Sequence, residues 1–293
     1  MVSALPPPGW ISLPASHIGE TGTLWLREPA GRSRQLLLHQ LREDIYPQPF
    51  IIDDGKTRRL HFNRKLLQSE MALVAPDELA LAYARTVMTF PMFVPHPAHV
   101  VIVGLGGGSL TKCCHRSLEN CRVTTVEISE AVIACRDWFL LPPDDERLHI
   151  LQADAADYFA GPVDSADVVI LDAYDEDGIA PQLGERTFFE NLQRHLKPHG
   201  MLVVNISGHS RTAEDFVDLI ADVFSQRCGE VDVPRDDNRI VFAFRDAAFP
   251  PNWRQIEKTA GMLASRYPYD FLHVLHELEH SLQRRRRKRQ HKA

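Results

Sequence analysis

Residues 99–104 read His-Val-Val-Ile-Val-Gly and run directly into Leu-Gly-Gly-Gly-Ser-Leu. An apolar run this short, stopped by glycine, suits a strand covered on both faces. The same kind of segment returns at 122–128, 148–152, 166–172 and 201–206. Helical stretches are expected between them, near Ser109–Ser117, Glu130–Phe139, Ala155–Phe159 and Glu185–His195. Strands alternating with helices at this spacing specify an α/β chain with a doubly wound, mainly parallel sheet. All-helical and all-β folds have no place for the pattern.

Two further strands, at 230–234 and 239–244, are separated by Arg235-Asp236-Asp237-Asn238, a link short enough for an antiparallel hairpin. The sheet then has seven strands, in the Rossmann-like layout of class I methyltransferases. Two helices follow, from Trp253 to about Gln283, and the like-charge run from 284 to 293 is expected to be a disordered basic tail. Ahead of the sheet, TLWLRE, RQLLLHQL, PFIIDD and TRRLHF are short β-type runs punctuated by Gly31 and the Asp53–Lys56 turn. They predict a small antiparallel β-domain over 23–75, behind an irregular lead-in at 1–22. A helix starting at Pro76-Asp77 and carrying Leu79, Ala82, Tyr83, Thr86 and Val87 opens the Rossmann-like domain, 76–283.

A net charge of -6 argues against a surface devoted to nucleic acid, and no run of 18 apolar residues offers a membrane span. The opening MVSALPPPGW lacks the basic-then-apolar order of a secretory signal, so a cytoplasmic location is the expectation. None of the five cysteines forms a Cys-x-x-Cys pair or a Cys/His ligand spacing; reduced structural thiols are expected, and no metal. Exposed strand edges in the β-domain suit a homodimer.

Glycines 104, 106, 107 and 108 let the backbone turn sharply and approach a ligand closely. Glu127, at the end of the next strand, can accept two hydrogen bonds from a ribose diol. Asp154, beyond the third strand, can accept from an adenine amino group or cap the following helix. No G-x-x-x-x-G-K-[ST] is present and the glycine spacing is not G-x-G-x-x-G, which disfavours nucleoside triphosphates and NAD. After the fourth strand, Asp172, Asp175, Glu176 and Asp177 place four carboxylates within six residues, where open α/β sheets bind ligands. Their repulsion is relieved by a cation such as a sulfonium nucleoside or a protonated amine.

Taken together these segments resemble the spermidine synthase (polyamine aminopropyltransferase) family, from about Leu60 to Phe244. That family has a small β-domain ahead of its Rossmann-like domain, a G-G-G-D-G-G loop, a strand-end E-I-D, an acid after strand three and D-S-S-D after strand four. Here the corresponding residues are G-L-G-G-G-S, Glu127-Ile128-Ser129, Asp154 and Asp172-Ala173-Tyr174-Asp175. The resemblance implies that Gly104, Gly106, Gly107, Gly108, Glu127, Ile128, Asp154 and Ala155 bind decarboxylated S-adenosylmethionine or S-adenosylmethionine itself. It makes Asp172 the base that deprotonates a small-molecule amine, with Asp175 and Tyr83 on the amine. The sequence also departs from the family. Gly107 stands where the loop acid would be, Ala84 and Arg85 follow the tyrosine, and Pro234-Arg235-Asp236 lacks the usual tyrosine. A methyltransferase acting on another acceptor, and a nucleoside-binding protein without turnover, are the alternatives.

Overall fold

The computed structural model describes residues 8–29, 31–65, 67–175, 178–179, 181–208, 211–233, 235, 237–245 and 252–290. Its chain divides into two units, the first comprising Met1–Ala80, Gly106–Ser109 and Ser129–Pro142. In this first unit β1 (Trp10–Pro14), β2 (Thr23–Arg27), β3 (Phe50–Asp53), β4 (Thr57–His61) and β5 (Leu67–Ala72) form an antiparallel sheet in sequential order. The β3–β4 turn is tied by Asp54, whose Oδ1 accepts from the amides of Lys56 and Thr57.

Two expectations fail in this unit. β1 lies within the stretch read as an irregular lead-in; its Trp10 and Leu13 are buried, and it pairs with β2 from Trp10↔Arg27 to Pro14↔Thr23. RQLLLHQL, read as a strand, is helix α1 (Arg34–Arg42). Ser33 caps it by accepting from the Leu36 amide, and Leu37 and Leu41, one turn apart, pack with Leu24, Leu26, Phe50 and Ile52.

The rest of the chain continues with α2 (Ala82–Val87), β6 (His99–Val103), α3 (Ser109–Ser117) and β7 (Arg122–Glu127). Helix α4 (Glu130–Ile133) belongs to the first unit. Then come β8 (Leu148–Gln152), α5 (Ala155–Ala160), β9 (Ala166–Leu171), a two-residue pair β10 (Tyr174–Asp175) and β11 (Gly178–Ile179), α6 (Arg186–His195) and β12 (Leu196–Ser207). Last are α7 (Arg211–Val223), β13 (Cys228–Val233), β14 (Asn238–Phe244), α8 (Trp253–Ala264) and α9 (Phe271–Gln290).

The seven-stranded sheet runs β13-β14-β12-β9-β6-β7-β8. Its members are parallel except β14, which is antiparallel to both neighbours. All five residues of β6 are buried, as a central strand covered on both faces requires. On one side Val101, Val169 and Val204 join Phe188, Phe189, Phe216 and Ile220 in a single apolar cluster.

The helix expected from Pro76-Asp77 begins at Ala82; turns occupy the residues before it, with Ala75 and Glu78 amides bonded three residues back. The helix expected at Glu130–Phe139 ends at Ile133, beyond which the amides of Arg136, Trp138, Phe139 and Leu140 also reach back three residues. Helix α7 was not anticipated. The basic tail is corrected too: α9 carries it as helix to Gln290, and Arg285 pairs with Glu230 at 3.0 Å and Asp218 at 3.8 Å. Residues 291–293 lie outside the described residues. No described helix is long and apolar enough to cross a membrane.

All five cysteines are buried thiols outside any disulfide. Burial pushes Cys121 and Cys228 up to about 11 and Cys135 to about 12.

Candidate active site

Strand β6 lies between β7, which follows it, and β9, from the second half of the sheet. Connections diverge to either side of this point, where open α/β sheets take ligands in the crevice beyond the strands' carboxyl ends. Gly104 closes β6 with φ +94°, its amide donating to the Val126 carbonyl at 2.9 Å. A Cβ on Gly104 would stand 2.1 Å from the carbonyl oxygen of Asp172, so only glycine fits. The Asp172 amide in turn donates to the Val103 carbonyl at 2.9 Å. The turn after β6 and the acid after β9 are thus locked together by backbone.

Asp172 keeps some accessible surface, yet its carboxyl sits deep enough for burial to push its pKa above the ordinary value of 3.8. Two hydrogen bonds oppose that rise. Asn205 Nδ2 donates to Oδ1 at 2.8 Å, and the Tyr83 hydroxyl donates to Oδ2 at 3.2 Å. Asn205 Oδ1 accepts from Asn238 Nδ2 at 2.8 Å. Neither asparagine was singled out in the sequence. The available sign was an amide inside the apolar run MLVVNIS, and for Asn238 there was none beyond its place next to a strand.

Glu127, 9% exposed, accepts from the Leu105 amide through Oε2 at 2.8 Å, so a strand-end carboxylate holds the glycine turn. Its own carbonyl accepts from Ala153 at 3.1 Å, which places Asp154 just beyond the neighbouring strand end. Asp154 caps α5 by accepting from the Ala156 amide at 2.7 Å, and Ala155 is buried in the first turn. Ile128 is 59% exposed, an apolar surface beside Glu127.

Within the first unit, Gly106 and Gly108 have φ of +51° and +71°. A Cβ on Gly108 would meet Leu141 at 2.3 Å, and one on Gly107 would stand 2.6 Å from Ser69 Oγ and 2.9 Å from Phe139. The space an acidic side chain would need at 107 is therefore filled. Asp175 lies in β10, paired with Gly178; its side chain, together with Glu176, Asp177, Pro234 and Asp236, falls outside the described residues. Tyr83, Asp172, Gly104, Glu127 and Asp154 are brought to one edge of the sheet or onto α2 beside it.

Residues 80–231, just over half of the chain, match the family model described as the spermine/spermidine synthase domain. The chain belongs to the spermine/spermidine synthase family. This family member is 31% identical over 241 residues to a polyamine aminopropyltransferase from Chromobacterium violaceum, covering 82% of this chain and 92% of the relative. Its structure is similar to that of a probable spermidine synthase from Corynebacterium glutamicum, with a TM-score of 0.61 at 21% identity over 72% of this chain and 84% of the other. Human methyltransferase-like protein 13, solved with SAH, shares the fold with a TM-score of 0.56 at 17% identity, over 70% and 93% of the two chains. As a spermine/spermidine synthase family member on a methyltransferase-like sheet, the chain is a transferase.

Proposed function

We propose that this transferase moves an aminopropyl group from decarboxylated S-adenosylmethionine to a small amine, with Asp172 as the base. The observation that carries this is the Tyr83–Asp172–Asn205 cluster at the carboxyl end of β9, set against Gly104. The residues beside it fit a sulfonium nucleoside. Glu127 offers acceptors for a ribose diol, Asp154 an acceptor for an adenine amino group, and Ile128 an exposed apolar face. When bound, the nucleoside supplies an alkyl carbon attached to cationic sulfur.

Asp172 then draws an amine toward the crevice and accepts its proton, so that the neutral nitrogen is the attacking species. Its raised pKa suits that exchange, because a base works best when its affinity for the proton approaches that of its surroundings. Tyr83, donating to Oδ2, orients the carboxylate; substitution at carbon needs alignment of this kind more than covalent help. The neutral nitrogen then forms the new C–N bond as the C–S bond breaks, the sulfur leaves as a neutral thioether, and the positive charge passes from sulfur to nitrogen.

Gly107 favours a second reading. With its side-chain space filled, no loop acid meets the aminopropyl ammonium, and intact S-adenosylmethionine, whose extra carboxylate such an acid would repel, becomes an acceptable methyl donor. Calorimetry with the two sulfonium nucleosides side by side separates the readings. Tighter binding of the decarboxylated form, with product formed from an amine, supports aminopropyl transfer. Tighter binding of the intact form overturns it.

A further inference from the structure

Three neighbouring strands each present one polar side chain at the carboxyl edge of the sheet. Asp172 follows β9, Asn205 is in β12 and Asn238 starts β14. The register explains the meeting. Val204 pairs with Leu171, so Asn205 lies level with Asp172; Asn205 pairs with Ile240, so Asn238, two residues away, points to the same face. Both asparagines are buried, at 4% and 7% exposure.

An asparagine amide has nearly the same shape in either orientation, but one end donates and the other accepts. Asn238, together with the acceptor-only Asp172 carboxylate, removes that ambiguity for Asn205. Its Nδ2 donates to Asn205 Oδ1, which turns the Asn205 NH2 toward Asp172. The opposite orientation would set Asn205 Oδ1 against a carboxylate oxygen and Asn238 Nδ2 against another NH2, two repulsive contacts in a buried place.

We propose that Asn238, which touches no reacting atom, is a positioning residue that fixes the Asn205 amide so that Asp172 Oδ1 stays bonded to the sheet and Oδ2, on the Tyr83 side, receives the substrate proton. The role of Oδ2 rests on the aminopropyl-transfer reading. The coupling between Asn238 and Asp172 does not. Among the described residues, the groups that bear on the Asp172 carboxyl are Asn205 from β12 and Tyr83 from α2, besides burial itself, so the loss of a correctly aimed N–H has a clear sign. The anion is weakened and the carboxyl titrates at higher pH.

The test uses the full chain carrying Asn238→Leu, which keeps the bulk and removes the donor, and Asn238→Ala, which removes both. If leucine is not tolerated, Asn238→Val takes its place. The Asp172 carboxyl is titrated by carbon NMR, its signal identified by loss in Asp172→Asn, and the acid limb of kcat/KM is followed in parallel. Both variants should raise the Asp172 midpoint by about one pH unit, the scale of one hydrogen bond to a charged group, and should move the acid limb with it. Nucleoside affinity should stay at the parental value. A packing role for Asn238 would leave the leucine variant parental while alanine shifts, and that result, or a parental midpoint in both, overturns the proposal. If the parent shows no amine transfer, the NMR titration still decides the coupling, so failure of the functional reading is told apart from failure of this one.

Discussion

Replacing Gly104 with alanine should damage both the fold and the chemistry. At φ +94° an L-residue costs about 1–2 kcal/mol in backbone strain. The added Cβ would also sit 2.1 Å from the Asp172 carbonyl oxygen and 2.8 Å from its carbonyl carbon. Relieving that overlap means parting two buried, hydrogen-bonded strand ends, and overpacking of this kind costs about 1–3 kcal/mol more. The sum, about 2–5 kcal/mol, corresponds to a drop in Tm of roughly 3–8 °C for a chain of this size. Because the strained contact is with Asp172 itself, the proposed base moves too, and a displacement of about 1 Å can cost around a hundredfold in rate. Gly106→Ala is the internal control. Its φ is +51° and the nearest atoms to a new Cβ are at 3.7 and 3.9 Å, so it carries the backbone term alone, about 1 kcal/mol. Thermal melts and single-turnover transfer on the two variants decide the matter. If Gly104→Ala melts no lower than Gly106→Ala and turns over like the parent, the tight lock between the two strand ends is wrong.

Asp172→Asn should cut turnover by about 10²–10⁴-fold with far less effect on nucleoside binding, measured at matched saturation; turnover within threefold of the parent would remove Asp172 as the base. The same variant tests the titration. Burial raises the Asp172 pKa, so the group favours folding while protonated and that contribution is lost as pH rises through the raised value. The neutral asparagine should therefore melt above the parent near neutral pH and converge with it as pH falls toward 3.8. Glu127→Gln should weaken binding of methylthioadenosine by about 1–3 kcal/mol by calorimetry, and unchanged affinity would refute the ribose assignment. Arg285→Ala should lower Tm by about 2 °C, for a loss of about 1 kcal/mol, because the arginine is only 17% exposed where it meets Glu230; a parental melt would mean that the end of α9 is not held there.

Strands β6, β7 and β9 were legible as mainly apolar runs closed by Gly, Glu or Asp, a pattern that burial on both faces imposes, and β8 and β12 by their spacing from these. Glu127, Asp154 and Asp172 followed from those strand ends. Helix α1 was not legible by the same method, since Leu36-Leu37-Leu38 suits a strand as well as a helix; Ser33 at its N-cap was the overlooked sign. Strand β1, five residues ending in proline, carries too little pattern to stand out. The basic end of α9 looked solvated because like charges repel along a helix, but Glu230 and Asp218, distant in sequence, provide the neutralising partners for Arg285. Asn205 and Asn238 escaped for a related reason. A neutral amide declares its purpose only when its neighbour across the sheet is known.

The burial of every thiol has a use in the laboratory and a meaning in the cell. Thiolates, not thiols, react with alkylating agents and oxidants, and with Cys121, Cys135 and Cys228 held at about 11 or higher those three positions offer almost none of them. Modification must then wait for the backbone around each sulfur to open. The five positions are spread over α3, the start of β7, the turns after α4 and the start of β13. Their separate rates of labelling, read by mass spectrometry, would report how readily each of those regions breathes, a stopwatch distributed through the molecule.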